Sequence, residues 1–258
     1  MRIGAMNHPA RDPIEEIETF ASMQLDFLDL TLEPPCAAPW RIDPKAIKRA
    51  LADHNMGVVG HTAFYLPLAS AFESLRKAAV DELKKCADQF AVIGAKWMNV
   101  HPHPNAPFHD RSFVVRKNIE TMRELIEYGK SIGIGVMVEN IPAGFNNAEN
   151  LGDLLDALPD LGLHLDIGHS NLMNKKNTAG EILTKYGSRL AHVHLHDNNG
   201  GTADLHLPLG VGSLHLEEEI NHLKACGYDD TITLEVFAEE KHYLLHSRDM
   251  LRKMWDSA

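Results

Sequence analysis

The side chains best suited to chemistry in this sequence are histidines and carboxylates that recur at the ends of short apolar runs. In TITLEVF (231–237), Ile232, Leu234 and Val236 share one face of an extended chain and leave Glu235 on the other. In GLHLDI (162–167), Leu163 and Leu165 alternate with His164 and Asp166; in AHVHLH (191–196), Val193 and Leu195 alternate with His192, His194 and His196. Met137 and Glu139 share a face of GVMVEN (135–140), Trp97, Asn99 and His101 share one of KWMNVH (96–101), and His61 lies near the end of GVVGHTA (57–63). One such residue alone is most often a satisfied core group. Imidazoles and carboxylates supplied together by six runs would repel or stay unpaired without a cation. Two local spacings add donors. Asp166-x-x-His169 lets a second group curl back over the end of its run, and Asp204-x-His206 aims both side chains the same way in an extended loop. Carboxylates with imidazoles and no thiolate suit Zn²⁺, Mn²⁺, Fe²⁺ or Co²⁺.

Such residues need a scaffold that brings them together. The strand candidates are RIGAM (2–6), DFLDLTLE (26–33) and the six runs GVVGHTA, KWMNVH, GVMVEN, GLHLDI, AHVHLH and TITLEVF. Helical patterns alternate with them: PIEEIETFASM, PKAIKRALADHN, ESLRKAAVDELKKCADQFAVIG, FVVRKNIETMRELIEYGKSIG, AENLGDLLDAL, AGEILTKYG, HLEEEINHLKACG and HYLLHSRDMLRKMW. Asp43-Pro44 reads as an N-cap and first helical residue, while Gly133 and Gly227 stand where helix C-caps belong. Strict alternation predicts a parallel sheet, and eight units in 258 residues predict an α/β fold, the closed (β/α)8 or TIM barrel. An open doubly wound sheet usually stops sooner, and its G-x-G-x-x-G after the first strand is missing. Each inward polar group then falls near the C-terminal end of its strand, the rim where this architecture builds active sites. With no Pro/Ser linker, low-complexity segment or break in composition, residues 1–258 read as one domain.

Composition narrows the function. Lys and Arg number 25 against 36 Asp and Glu, a net charge of −11 that disfavours broad affinity for nucleic acid or membrane surfaces. No run of about 18 apolar residues predicts a membrane helix, and MRIGAMNHP lacks the apolar core of a signal peptide. Cys36, Cys86 and Cys226 form no C-x-x-C, which argues against a disulfide framework and fits a reducing cytoplasm. The 16 histidines are the unusual count.

Taken as a set and in order, GHTAFYLPLAS, MNVHPHP, VENIPAG, HLDIGHSNL, HVHLHDNNG, DLHLPLGVG and TLEVF resemble the xylose isomerase-like TIM barrels over essentially the whole chain. That superfamily includes sugar phosphate isomerases and epimerases and the endonuclease IV class of apurinic endonucleases. The resemblance implies a four-ligand metal site at Glu139, Asp166, His194 and Glu235. It also implies that His61, His101, His169, Asp204 and His206 match the ligands completing a three-metal cluster in the endonucleases, so one to three divalent ions, zinc or manganese foremost, are expected per chain. His169 matches a substrate-contacting histidine of some epimerases as well. The sequence departs from the endonucleases after the second strand. There LDLTLEPPCAAPW, with Glu33 and two prolines, replaces an aromatic, basic DNA-entering loop, and Gly210-Val211-Gly212 stands where G-E-G is usual.

The favoured reading is therefore an isomerase or epimerase of a sugar or sugar phosphate, with Glu139 and Glu235 flanking the substrate as proton-transfer partners and His169 orienting an oxygen. The alternative is a multinuclear zinc phosphoester hydrolase of the endonuclease IV type, with DNA the less favoured substrate; a non-enzymatic metal-binding role ranks third. A small-molecule substrate is the expected partner, and a homo-oligomer is compatible with the sequence. Asp29 and Glu33 read as solvated rim residues and His54, His215, His222, His242 and His246 as solvated helix residues. Gly200-Gly201 and Gly210-Val211-Gly212 read either as turns or as a phosphate cradle.

Overall fold

Eight parallel strands close on themselves in chain order, each hydrogen-bonded to the next and the eighth to the first. The computed structural model describes residues 1–258. The strands are β1 (Arg2–Met6), β2 (Phe27–Leu32), β3 (Gly57–Thr62), β4 (Trp97–Val100), β5 (Gly135–Glu139), β6 (Gly162–Asp166), β7 (Leu190–Leu195) and β8 (Thr231–Leu234). The helices are α1 (Pro13–Ser22), α2 (Pro44–Asp53), α3 (Glu73–Ile93), α4 (Arg111–Ile132), α5 (Ala148–Leu155), α6 (Ile167–Asn171), α7 (Ala179–Tyr186), α8 (Leu216–Ala225) and α9 (Lys241–Ser257). The expected barrel is the observed one. No helix is long and apolar enough to cross a membrane.

Two differences from the sequence expectation bear on the site. The ladders stop before the apolar runs do, so His101, His196 and Glu235 stand one residue past β4, β7 and β8, on the rim. A ninth helix, α6, was not expected. Asp166 ends β6 and caps that helix by accepting the His169 N–H at 2.7 Å, so the turn that curls His169 back over the rim is one turn of helix. The other caps match: Asp43 accepts from the Lys45 and Ala46 amides, and Gly133 ends α4 at φ 78°. Gly227 lies one residue beyond the α8 cap, Cys226.

Packing explains why the interior can be polar. Leu28, Leu30, Val138, Leu163, Leu165, Val193, Leu195 and Ile232 face the helices and are fully buried, and each contributes roughly 1.5–3 kcal/mol. Inside, Phe27, Val59 and Met137, with Trp97 and Ala191, form an apolar floor. Gly135 and Gly162 make room for Trp97, since a Cβ at either would lie 2.4 or 2.8 Å from its ring. Above this floor Asp29, Asn99, His164, His192, His194 and Thr233 are completely buried. The stability therefore comes from the outer shell, and the upper interior is left free to carry charge.

Candidate metal centre

Glu139, the last residue of β5, is ringed by imidazoles. Its Oε2 lies 3.0 Å from His101 Nε2, 3.3 Å from His164 Nδ1 and 3.9 Å from His61 Nε2, and its Oε1 lies 3.2 Å from His169 Nδ1. Asn99 donates to Oε2 at 2.9 Å. Next around the barrel, Asp166 Oδ2 is 3.4 Å from His169 Nδ1 and 4.0 Å from His194 Nδ1, while Oδ1 is 3.4 Å from His196 Nε2. Asn140 holds the Asp166 backbone, accepting its N–H at 2.7 Å and donating to its carbonyl at 2.9 Å. Glu235 Oε2 is 3.1 Å from His194 Nδ1 and 3.6 Å from His206 Nδ1. Asp204 Oδ2 is 3.1 Å from both His169 Nε2 and His206 Nε2.

All nine residues singled out in the sequence thus meet at one rim. His194 takes part through both ring nitrogens, Nδ1 toward Glu235 and Asp166 and Nε2 toward the interior. Donor atoms that all lie within 4.8 Å of one another join His61, His101 and Glu139; Glu139, Asp166 and His169; and Asp166, His196 and Glu235. A further group joins His169, His196, Asp204 and His206, and His194 also groups with His164 and His192 on its inner side. The reason is Asp29, whose Oδ2 takes His194 Nε2 at 2.7 Å, the Thr233 hydroxyl at 2.8 Å and His192 Nε2 at 3.3 Å. Asp29 is fully buried, which corrects its reading as a solvated rim residue. The α8 and α9 histidines and His54 are exposed or half-exposed, as expected.

Charge follows from these contacts. Burial alone would raise the carboxyls of Glu139 and Asp166, but the surrounding imidazoles outweigh it and hold both well below the ordinary range. His169, His194 and His206 are buried against carboxylates, whose attraction exceeds the desolvation penalty and raises all three. Burial instead pushes His61 down to about 3 and keeps His164 and His192 low, leaving them neutral.

The donor set fits a divalent cation. Asp166 Oδ2, His196 Nε2 and both His164 nitrogens are buried with no hydrogen-bond partner, and buried polar atoms left unpaired call for an ion or water. The Gly210-Val211-Gly212 loop does not fit a phosphate. Gly210 and Gly212 each donate their N–H to Asp197 Oδ2 at 3.0 Å, and Leu214 and Asn198 donate to Oδ1 at 3.1 and 2.9 Å. An internal carboxylate fills that cradle, so the turn reading holds.

Residues 17–254 match the family model of the xylose isomerase-like TIM barrel. The chain belongs to that family. Uncharacterized protein MJ1311 of Methanocaldococcus jannaschii is 31% identical over 213 residues, which cover 78% of this chain and 72% of that protein. Fructoselysine 3-epimerase of Escherichia coli O157:H7 is 24% identical over 202 residues, 74% of this chain and 72% of the relative. Probable endonuclease 4 of Clostridium beijerinckii is 27% identical over 222 residues, 78% and 80% respectively. Among solved structures, a D-tagatose 3-epimerase-like protein superimposes with a TM-score of 0.86 at 25% identity, covering 100% of this chain and 98% of that one.

Sequence reasoning placed every rim strand and named His196 as inward-facing without giving it a role. The alternation His192, His194, His196 was the available signal. Nothing local marks Asp29 as interior, since FLDLTL is buried at every position.

Proposed function

We propose that this protein is a divalent-metal-dependent isomerase or epimerase of a sugar or sugar phosphate. The observation that carries the reading is the pair Glu139 and Glu235, contributed by β5 and the end of β8, both buried at the rim and each held by imidazoles. Glu139, Asp166, His194 and Glu235 would hold the cation, with Asp29 turning the His194 ring. A bound cation supplies polarisation of the substrate carbonyl, which acidifies the adjacent C–H. One glutamate carboxylate takes that proton, and the electron pair passes into the carbonyl to give the enediolate. The other glutamate, protonated, returns a proton to the same carbon from the opposite face for epimerisation; for isomerisation the proton goes to the neighbouring carbon while the hydroxyl proton passes between the two substrate oxygens. His169, spanning Glu139 and Asp204, is placed to steer a substrate hydroxyl.

The hydrolase reading draws on the full complement of His61, His101, His169, Asp204 and His206 at the rim. Two features weigh against DNA as substrate. The Asp197 carboxylate fills the glycine cradle. In the loop after β2 the one basic residue, Arg41, donates to the Pro35 carbonyl at 3.2 Å. Protein reconstituted separately with Mn²⁺, Co²⁺ and Zn²⁺ should interconvert members of a ketose and sugar phosphate panel. Cleavage of bis(p-nitrophenyl) phosphate or an abasic duplex with no sugar turnover would select the hydrolase instead.

A further inference from the structure

His196 is a rim histidine that the functional reading leaves unused. Three imidazoles converge on Asp204, and each turns its Nδ1 to a backbone carbonyl: His169 to Asn140 at 3.0 Å, His196 to Asp197 at 3.4 Å and His206 to Glu235 at 3.2 Å. A carbonyl accepts from N–H, so Nδ1 carries the proton in the neutral ring and Nε2 keeps its lone pair. A carbonyl behind the ring in this way is how metal-binding histidines are held. All three Nε2 atoms face the Asp204 carboxylate, at 3.1, 3.7 and 3.1 Å for His169, His196 and His206. His196 is fully buried and its Nε2 has no hydrogen-bond partner. The ring lies against Gly168, where a Cβ would stand 2.2 Å from Nε2, and stacks on His206 at 4.1 Å.

We propose that His196 is a fourth protein donor, with His169, Asp204 and His206, to a second cation position, and that this position is closed to substrate. Four protein donors complete the tetrahedral set of a structural zinc, whereas catalytic sites keep one position open. Such a position ties the β6–α6 turn and the end of β7 to the loop carrying Asp204 and His206, which the Asp197–Leu207 bridge already anchors at its base. The proposal rests on the metal-dependent reading and deepens it: proton transfer belongs to the Glu139–Glu235 site, the Asp204 site fastens the loop beside it, and once that site is filled His169 holds the ion instead of steering a substrate hydroxyl.

Cobalt binding tests this without any sugar. Metal-free protein, its His196→Asn variant and its Gly168→Ala variant are titrated with Co²⁺ and followed by visible absorption, and amide exchange of residues 197–215 is measured with and without the ion. One equivalent in the wild type should give the intense bands of four-coordinate cobalt and slow exchange in the loop. In His196→Asn that equivalent should bind at least about tenfold more weakly and lose the four-coordinate spectrum, and Gly168→Ala should do the same by displacing the ring. An unchanged spectrum and affinity in folded His196→Asn would overturn the proposal. A His196-dependent spectrum with no sugar turnover would uphold it while removing the epimerase reading; turnover with a His196-independent spectrum would do the reverse.

Discussion

Asp29 Oδ2 accepts the Nε2–H of His194 at 2.7 Å, a contact made inside the barrel between β2 and β7. It turns His194 so that Nδ1 faces Glu235 at 3.1 Å and Asp166 at 4.0 Å. A carboxylate behind a metal-binding histidine fixes its tautomer and raises its basicity. Asp29→Asn keeps the shape and removes the charge. We expect it to weaken divalent-ion affinity by roughly 10- to 100-fold while the protein stays folded, measured by chelator competition and circular dichroism. Unchanged affinity would make Asp29 a packing residue only.

Glu139→Gln and Glu235→Gln each remove one of the two proposed proton carriers. Each should lower kcat by about 10²–10⁴-fold, with metal content measured in parallel because both residues are candidate ligands. Full activity in either variant with metal bound would exclude that residue from proton transfer.

Ion binding should release protons. In the metal-free fold His169, His194 and His206 are raised by their carboxylate partners, so they hold protons at a pH where a free imidazole has begun to lose them. A cation needs the neutral nitrogen, so affinity should rise with pH across the neutral range. Calorimetry in buffers of different ionisation heat should show net proton release. For the metal-free protein the sign is opposite: these histidine–carboxylate pairs stabilise the fold fully below the ordinary histidine pKa, and that contribution is lost as pH rises through the raised values. Thermal unfolding with and without ion across pH checks both slopes, and parallel slopes would refute the pairing.

Cys86 is buried on α3, and burial pushes its thiol up to about 12, whereas Cys36 and Cys226 are partly exposed. The thiolate is the reactive form, so iodoacetamide at mildly alkaline pH should modify Cys36 and Cys226 well before Cys86. Peptide mass mapping reads the order; early labelling of Cys86 would show that α3 opens.

The barrel was legible because period-two strands and longer amphipathic helices alternate without interruption, and Asp166-x-x-His169 correctly placed His169 back over the rim. The sequence did not reveal which donors pair. Asp29 and His194 are far apart in the chain, and a run apolar on both faces hides which residue turns inward. His196 is separated from Asp166 and Gly168 in the same way, by a strand and two helices. The glycines of residues 200–212 announced a turn but not that the Asp197 carboxylate would occupy it.

Solvent deuterium incorporation reads proton transfer at a sugar carbon next to a carbonyl. Protein loaded with Mn²⁺ or Co²⁺ is incubated in D₂O with ketoses and sugar phosphates and followed by NMR. Deuterium is expected at that carbon for at least one sugar, and is expected to be lost in Glu139→Gln and Glu235→Gln. No incorporation into any sugar by metal-loaded protein, with a phosphodiester cleaved under the same conditions, would contradict it.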